Sequence, residues 1–259
     1  MRTSHALAAA AVVALAALTG CGGDDLATTT ASSGSTTVAA ASTTVAAASA
    51  AASIVPKGAV ANIINPAGTI TARVEPAADG KIVAQVPGRT TYKTPLVLAV
   101  DDRQSGWLHV TLPTRPNGST GWVEAQYFEL AEVRDTITVD LSDRKITLTV
   151  GGKTHTGLVT IGSSKYPTPT TGKKPAYITD NINLSKNPTG GYGTYALGVS
   201  LHSEVLQEFG TGDGQVGIHG TNEPSSIGQP VSHGCIRVPK SLEPVLAQVR
   251  TGTRVTIQP

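Results

Sequence analysis

Cysteine is nearly absent: Cys21 and Cys235 are the only two in 259 residues. That excludes a disulfide scaffold and the multi-cysteine zinc modules, which need more thiols than this. Charge is sparse as well, with 15% charged residues and a net charge of +2. A nucleic-acid binder normally concentrates basic residues on one face, so nucleic acid is not an expected partner. Aromatic residues make up 4% of the chain, so the two Trp residues are expected to supply much of whatever small core they join. Beyond the N-terminus no apolar run reaches the roughly 18 residues of a membrane span. What is present, from about Pro56 to Pro259, is long enough to bury a real core.

The first twenty residues read as an address. Arg2 precedes an apolar run from Ala6 to Leu18 that ends in small residues, the pattern of a secretory signal peptide over 1–20. Leu18-Thr19-Gly20-Cys21 resembles the lipobox of bacterial lipoproteins, which implies lipidation at Cys21; an ordinary signal peptide with an incidental cysteine is the alternative. Acyl chains hold a protein at a membrane because each buried CH₂ contributes roughly 0.8 kcal/mol. The expected location is extracytoplasmic, anchored by lipid to the cell membrane and facing the wall. Residues 21–56 are almost entirely Ala, Thr, Ser, Gly and Val, too poor in large side chains to order themselves, and predict a flexible tether.

Two β-rich bodies follow. Over 57–131 short β-branched runs alternate, as in Gly106-Trp107-Leu108-His109-Val110 and Gly121-Trp122-Val123, with a turn at Pro116-Asn117-Gly118 between them. This body resembles a small bacterial SH3-like barrel, read either as a wall-binding or spacer module or as a structural companion. The second body, 135–259, opens with strands over Thr136–Leu141 and Lys145–Val150, turns at Gly151-Gly152, and has a third strand from Thr156 to Ile161. Residues Tyr166 to Gly193 predict long loops of the kind that carry function. A short helix is expected over Ser203–Phe209, just after His202. A second, capped by Ser241 with Leu242, Val245, Leu246 and Val249 on its apolar face, stops at Gly252 before a closing strand, Arg254–Ile257.

The chemistry concentrates in Gly217-Ile218-His219-Gly220-Thr221 and, twelve residues further on, Ser232-His233-Gly234-Cys235-Ile236-Arg237-Val238. A lone thiol in an exported protein asks for a reason. Cys235 has His233, Gly234 and Arg237 around it, and cationic neighbours favour the thiolate nucleophile. On an extended strand His233 and Cys235 would point to the same side. His219 approaches from a separate segment as a second candidate base. The N–H groups of Gly234 and Cys235 are candidate oxyanion donors. Two other readings stay open on the residues alone: zinc bound by His219, His233 and Cys235, and an inert structural cluster. Of the remaining histidines, His5 lies in the signal segment, and His109, His155 and His202 have no chemical partner nearby in sequence.

These two segments are similar to the signature of the L,D-transpeptidases with a YkuD-type catalytic domain: a histidine, a spacer, then Ser/Thr-His-Gly-Cys. Further similarity runs from Thr136 to Ile257, including Tyr166–Gly172. Lys173-Lys174-Pro175-Ala176-Tyr177 departs from the family pattern by delaying an aromatic residue. The resemblance implies a mainly β fold, with the small SH3-like barrel followed by a β-rich catalytic domain carrying one or two short helices. It implies an acyltransferase that joins peptidoglycan stem peptides without a cofactor. Cys235 would attack the carbonyl of the third stem residue and release D-alanine. His219 would be the proton donor and acceptor, oriented by the carbonyl of Gly220. His233 would shape the pocket and support the thiolate, and Gly234 would offer its N–H. Ser232, Thr221 and Arg237, with Tyr192 and Tyr195 as lid residues, are the implied substrate contacts. A stem amine would resolve the thioester to a 3→3 cross-link, and carbapenem-type β-lactams are implied as covalent inhibitors. An L,D-carboxypeptidase, attachment of wall proteins, a zinc hydrolase and a non-catalytic wall-binding lipoprotein are the alternatives.

Overall fold

The computed structural model describes residues 55–186, 190–210 and 212–259. The signal segment, Cys21 and the tether as far as residue 54 lie outside the described residues. Among those described, no helix is long and apolar enough to cross a membrane.

The first body is a seven-stranded antiparallel sheet of β1 (Ala59–Ile63), β2 (Thr69–Arg73), β3 (Ile82–Pro87), β4 (Val97–Gln104), β5 (Trp107–Thr111), β6 (Thr120–Glu124) and β7 (Phe128–Glu132). Its order is β3-β2-β6-β5-β4-β1-β7. The alternation in β5 and β6 sorts the side chains, but not as expected. Leu108, Val110 and Val123 face inward and are fully buried, whereas Trp107 and Trp122 lie half-buried on the other face. Aliphatic residues therefore build this core. Trp122 packs against His109 instead, ring centroids 5.0 Å apart.

The second body holds β8 (Thr136–Asp140), β9 (Lys145–Val150), β10 (Lys153–Leu158), β11 (Ile161–Gly162), β12 (Ala176–Asn183), β13 (Tyr195–His202), β14 (Gln215–His219), β15 (Pro230–Ser232), β16 (Ile236–Arg237) and β17 (Arg254–Gln258). Eight of these form one sheet, β10-β9-β8-β17-β12-β13-β14-β16, and β11 pairs with β15. In β8 and β9 the inward residues Ile137 and Val139 sit opposite Leu148 and Ile146, a register that puts every second side chain in the core. Gly151 and Gly152 take φ of +57° and +77°, as the tight hairpin turn before β10 requires. The third strand begins earlier than expected, at Lys153, because the two-residue turn lets pairing resume at once.

The expected C-terminal helix is shorter than its apolar pattern. A 3₁₀ turn at Lys240–Leu242 leads into α1 (Glu243–Leu246), and the chain leaves through further 3₁₀-type turns at Gln248 and Val249. Ser241 does not cap it; Leu242 precedes α1 and makes no side-chain cap bond. The apolar face stands, since Leu242, Val245, Leu246 and Val249 are all buried. The helix expected at Ser203–Phe209 is absent. The carbonyls of Ser203 and Leu206 accept hydrogen bonds from Arg115, so they are not free for helical pairing.

The two sheets share a junction. Tyr177, the delayed aromatic residue of β12, is fully buried within the apolar cluster of the first body. Arg254 donates to the carbonyls of Ala59 and Val100 at 2.9 and 3.1 Å.

Candidate active site

The site forms at the edge of the larger sheet where β14 and β16 run parallel, with Ile218 beside Ile236 and His219 beside Arg237. This register brings the two sequence segments together. A methyl group placed on Gly217 would lie 3.7 Å from His219 Cδ2 and 3.8 Å from Cys235 Sγ. The imidazole and the thiol therefore both border the same small space over Gly217.

His219 is buried, and its Nδ1 lies 2.6 Å from the Gly220 carbonyl oxygen. A carbonyl only accepts, so Nδ1 carries the proton and the Nε2 lone pair is free. Burial pulls the imidazole down to about 4, against a smaller upward pull from the Gly220 carbonyl. Burial likewise raises the Cys235 thiol, opposed by a hydrogen bond from the main-chain amide of Gly217 and by the charge of Arg237. At neutral pH the pair is an uncharged thiol beside an uncharged base. That arrangement can move the thiol proton to Nε2 when the sulfur attacks.

The Ser-His-Gly-Cys segment is stapled to itself. Ser232 Oγ donates to the Cys235 carbonyl at 2.6 Å and accepts from the Gly234 N–H at 3.1 Å. Ser232 is buried, so its hydroxyl shapes the loop and does not reach substrate. Gly234, expected to aim its N–H at a carbonyl oxygen, has that N–H turned onto Ser232. Its φ of +113° is one that only glycine adopts freely. Thr168 Oγ1 ties the neighbouring loop to the Gly234 carbonyl at 2.9 Å.

The turn at Gly234 also redirects His233. The segment is not one continuous strand, and His233 is exposed, its ring between Tyr166 at 4.8 Å and Phe209 at 5.3 Å. Support for the thiolate comes from Gly217 and Arg237, neither from His233 nor from any strand alternation. His219, His233 and Cys235 consequently do not converge as a zinc ligand set. Among the described residues no three His, Cys, Asp or Glu side chains cluster to hold a metal.

The other expected contacts separate by role. Arg237 pairs with Glu223 at 2.8 Å while its charge bears on both Cys235 and His219. Thr221 Oγ1 accepts from the Glu223 N–H, closing a turn. The Tyr192 ring lies 4.6 Å from the His219 ring, over the site. Tyr195 instead packs on the core, and its hydroxyl accepts from Asn183 at 3.1 Å. His202 has a partner the sequence did not reveal: its Nε2 is 3.0 Å from Asp213 Oδ2.

The roles of three residues escaped the sequence reading. Gly217 opposes the effect of burial on the Cys235 thiol and lies against both the thiol and the His219 ring. Glu243, buried in α1, accepts from the amide and hydroxyl of Thr194 behind Gly220. Phe209 comes from the segment expected to be helical.

Residues 134–257 match the YkuD family model, described as the L,D-transpeptidase catalytic domain. A Bacillus subtilis protein named "Putative L,D-transpeptidase YkuD" is 36% identical over 123 residues, 47% of this chain and 64% of that protein. Its Bacillus licheniformis counterpart is 40% identical over 79 residues, 30% of this chain and 41% of that protein. The chain thus spans less than two thirds of the length of either relative. Among solved structures, L,D-transpeptidase 3 from Mycobacterium tuberculosis is 12% identical with a TM-score of 0.40, over 73% of this chain and 79% of that one.

Proposed function

We propose that this chain, whose residues 134–257 match the L,D-transpeptidase catalytic domain, is a peptidoglycan L,D-transpeptidase with Cys235 as its nucleophile. The observation that carries the reading is the pairing of a buried, uncharged His219, its Nδ1 held by the Gly220 carbonyl, with a lone thiol across the same small space.

Nε2 of His219 takes the Cys235 proton as Sγ attacks the carbonyl of the third residue of a tetrapeptide stem. The Cys235 N–H faces the developing oxyanion, since the Gly234 N–H is engaged by Ser232. The tetrahedral intermediate collapses as the C–N bond breaks, His219 returns the proton to the departing amine, and D-alanine leaves. A side-chain amine of a second stem then attacks the thioester and gives up its proton through His219. The C–S bond breaks, the thiol is restored, and a 3→3 cross-link remains. Gly220 acts here as a neutral orienter of the imidazole, where a serine triad uses a carboxylate. A β-lactam carbonyl, strained and activated, is open to the same sulfur.

The Leu18–Cys21 segment supports placing this chemistry outside the cytoplasm on a lipid anchor, with residues 21–56 as reach. Cys21→Ser should move the protein from the membrane fraction to the soluble one, and an unchanged distribution would remove the anchor from the reading.

Intact mass after mixing protein with a tetrapeptide-stem donor tests the chemistry. The expected result is a gain equal to donor minus D-alanine, unaffected by chelators and absent in Cys235→Ala. Folded, reduced protein that yields neither adduct nor D-alanine across stem variants would overturn it.

A further inference from the structure

The first body reaches the catalytic edge through the loop between β5 and β6. Arg115 Nη1 donates to the Ser203 carbonyl at 2.5 Å, and its Nη2 to those of Leu206 at 3.0 Å and Asp213 at 2.8 Å. Asn117 pairs with the main chain of His202 in both directions at 2.8 Å. One guanidinium thus grips both arms of the segment that leaves β13 and returns into β14, whose base is closed by Ser203 N–H on the Gly214 carbonyl at 2.8 Å. A planar fork with five donors can span three carbonyls; an ammonium cannot hold the same geometry.

What this grip presents is Phe209. Phe209 is 44% exposed, which leaves apolar surface in water next to His233 rather than in a core. Tyr166, His233 and Phe209 come from three separate loops, His233 two residues before Cys235, and the His233 ring packs against the other two with centroid distances of 4.8 and 5.3 Å. Aromatic faces meeting at His233, two residues from Cys235, suit an extended ligand with an apolar flank.

We propose that Arg115 and Asn117 are positioning residues that make the first body part of the catalytic groove, and that the Tyr166–His233–Phe209 shelf binds the apolar flank of the acyl donor attacked by Cys235. The identity of that donor as a stem peptide rests on the function proposed above; the shelf itself does not.

Two readouts on the full chain test this. With the stem donor, Arg115→Ala and Phe209→Ala should each raise KM at least fivefold with kcat within about twofold. The double variant should be no worse than either, because both act through one ring. Arg115→Lys should recover little. Independently of any stem peptide, the preference of Cys235 for benzyl over methyl methanethiosulfonate should fall in both single variants, with the methyl reagent reacting at the wild-type rate. An unchanged reagent preference in a Phe209→Ala protein that unfolds at the wild-type denaturant midpoint would overturn the shelf. Fully additive KM effects would overturn the role of Arg115. Failure of the stem donor with an intact reagent preference would count against the proposed function and leave the shelf standing.

Discussion

The carboxylate of Glu243, buried in α1, accepts the Thr194 amide at 2.7 Å and the Thr194 hydroxyl as well. Gly193 and Gly220 pack against that carboxylate so closely that a methyl group on Gly220 would lie 2.6 Å from its Cδ. Glu243 therefore fixes two things at once: the loop that lays Tyr192 over His219, and the peptide whose carbonyl orients His219. Glu243→Ala leaves two donors unpaired and is expected to cost about 3 kcal/mol. The loosened imidazole should lower kcat on the order of tenfold to a hundredfold. Denaturant unfolding and donor turnover measured together check this, and wild-type turnover in a destabilised variant would limit Glu243 to folding.

Gly217→Ala places a methyl group between base and sulfur. Its other close neighbour, the Leu197 carbonyl, would be 3.5 Å away, so the backbone accepts the change. Stability should stay within about 1 kcal/mol of wild type. Turnover should fall on the order of tenfold or more, since the proton path is blocked while the amide is kept. Equal losses in stability and turnover would point to a general packing defect instead.

The pH dependence follows from burial. His219 titrates near 4 in the folded chain, against an ordinary 6.5, so it remains a competent base well below neutrality. The acid limb of kcat/KM should fall near pH 4, with no break at 6.5. Between these values the unfolded chain binds a proton that the folded chain refuses. Stability is thus highest above about pH 6.5 and declines as the pH drops toward 4, by about 3 kcal/mol. His219→Gln should flatten that decline in denaturation curves at pH 4.5 and 7. Alkylation of Cys235 should keep rising past the ordinary thiol range, because burial holds its proton on.

Asp180 is fully buried on β12, and its two oxygens accept from the hydroxyls of Thr90 at 2.5 Å and Thr179 at 2.7 Å. Thr90 belongs to the first body. Thr90→Val removes a bond to a buried carboxylate at nearly constant volume and should cost about 2 kcal/mol, with Thr90→Ser close to wild type. Equal stability of all three proteins by thermal unfolding would show that the bond contributes nothing.

The meeting of His219 and Cys235 over Gly217 was legible because these residues are chemically distinctive and close in sequence. The inward alternation of β8 and β9 was legible for a similar reason: a period of two reports one buried face. What was illegible depended on distant partners. The helical pattern at Ser203–Phe209 lost to a guanidinium 88 residues away in sequence from Ser203. His233 pointed elsewhere because Gly234, at φ +113°, breaks the alternation that strand logic assumes. Trp107 and Trp122 read as core by size, but in an alternating strand the face is set by register, and Leu108 and Val123 took the inside. Gly217 opens the histidine segment without a role of its own there, Glu243 belongs to no motif, and only packing around β13, α1 and β16 gives either a role.

The place of Tyr177 bears on what can be inherited or expressed as a unit. The stretch that matches the family begins at residue 134, yet it contributes a tyrosine to a core assembled from residues before that point. Cut there, the chain would expose an aromatic ring, strip Asp180 of one donor and leave Arg254 without its two carbonyls. The boundary drawn by sequence similarity is therefore not a physical seam. An exchange of catalytic segments between relatives would have to carry Thr90, Arg115 and the cavity for Tyr177 along with it.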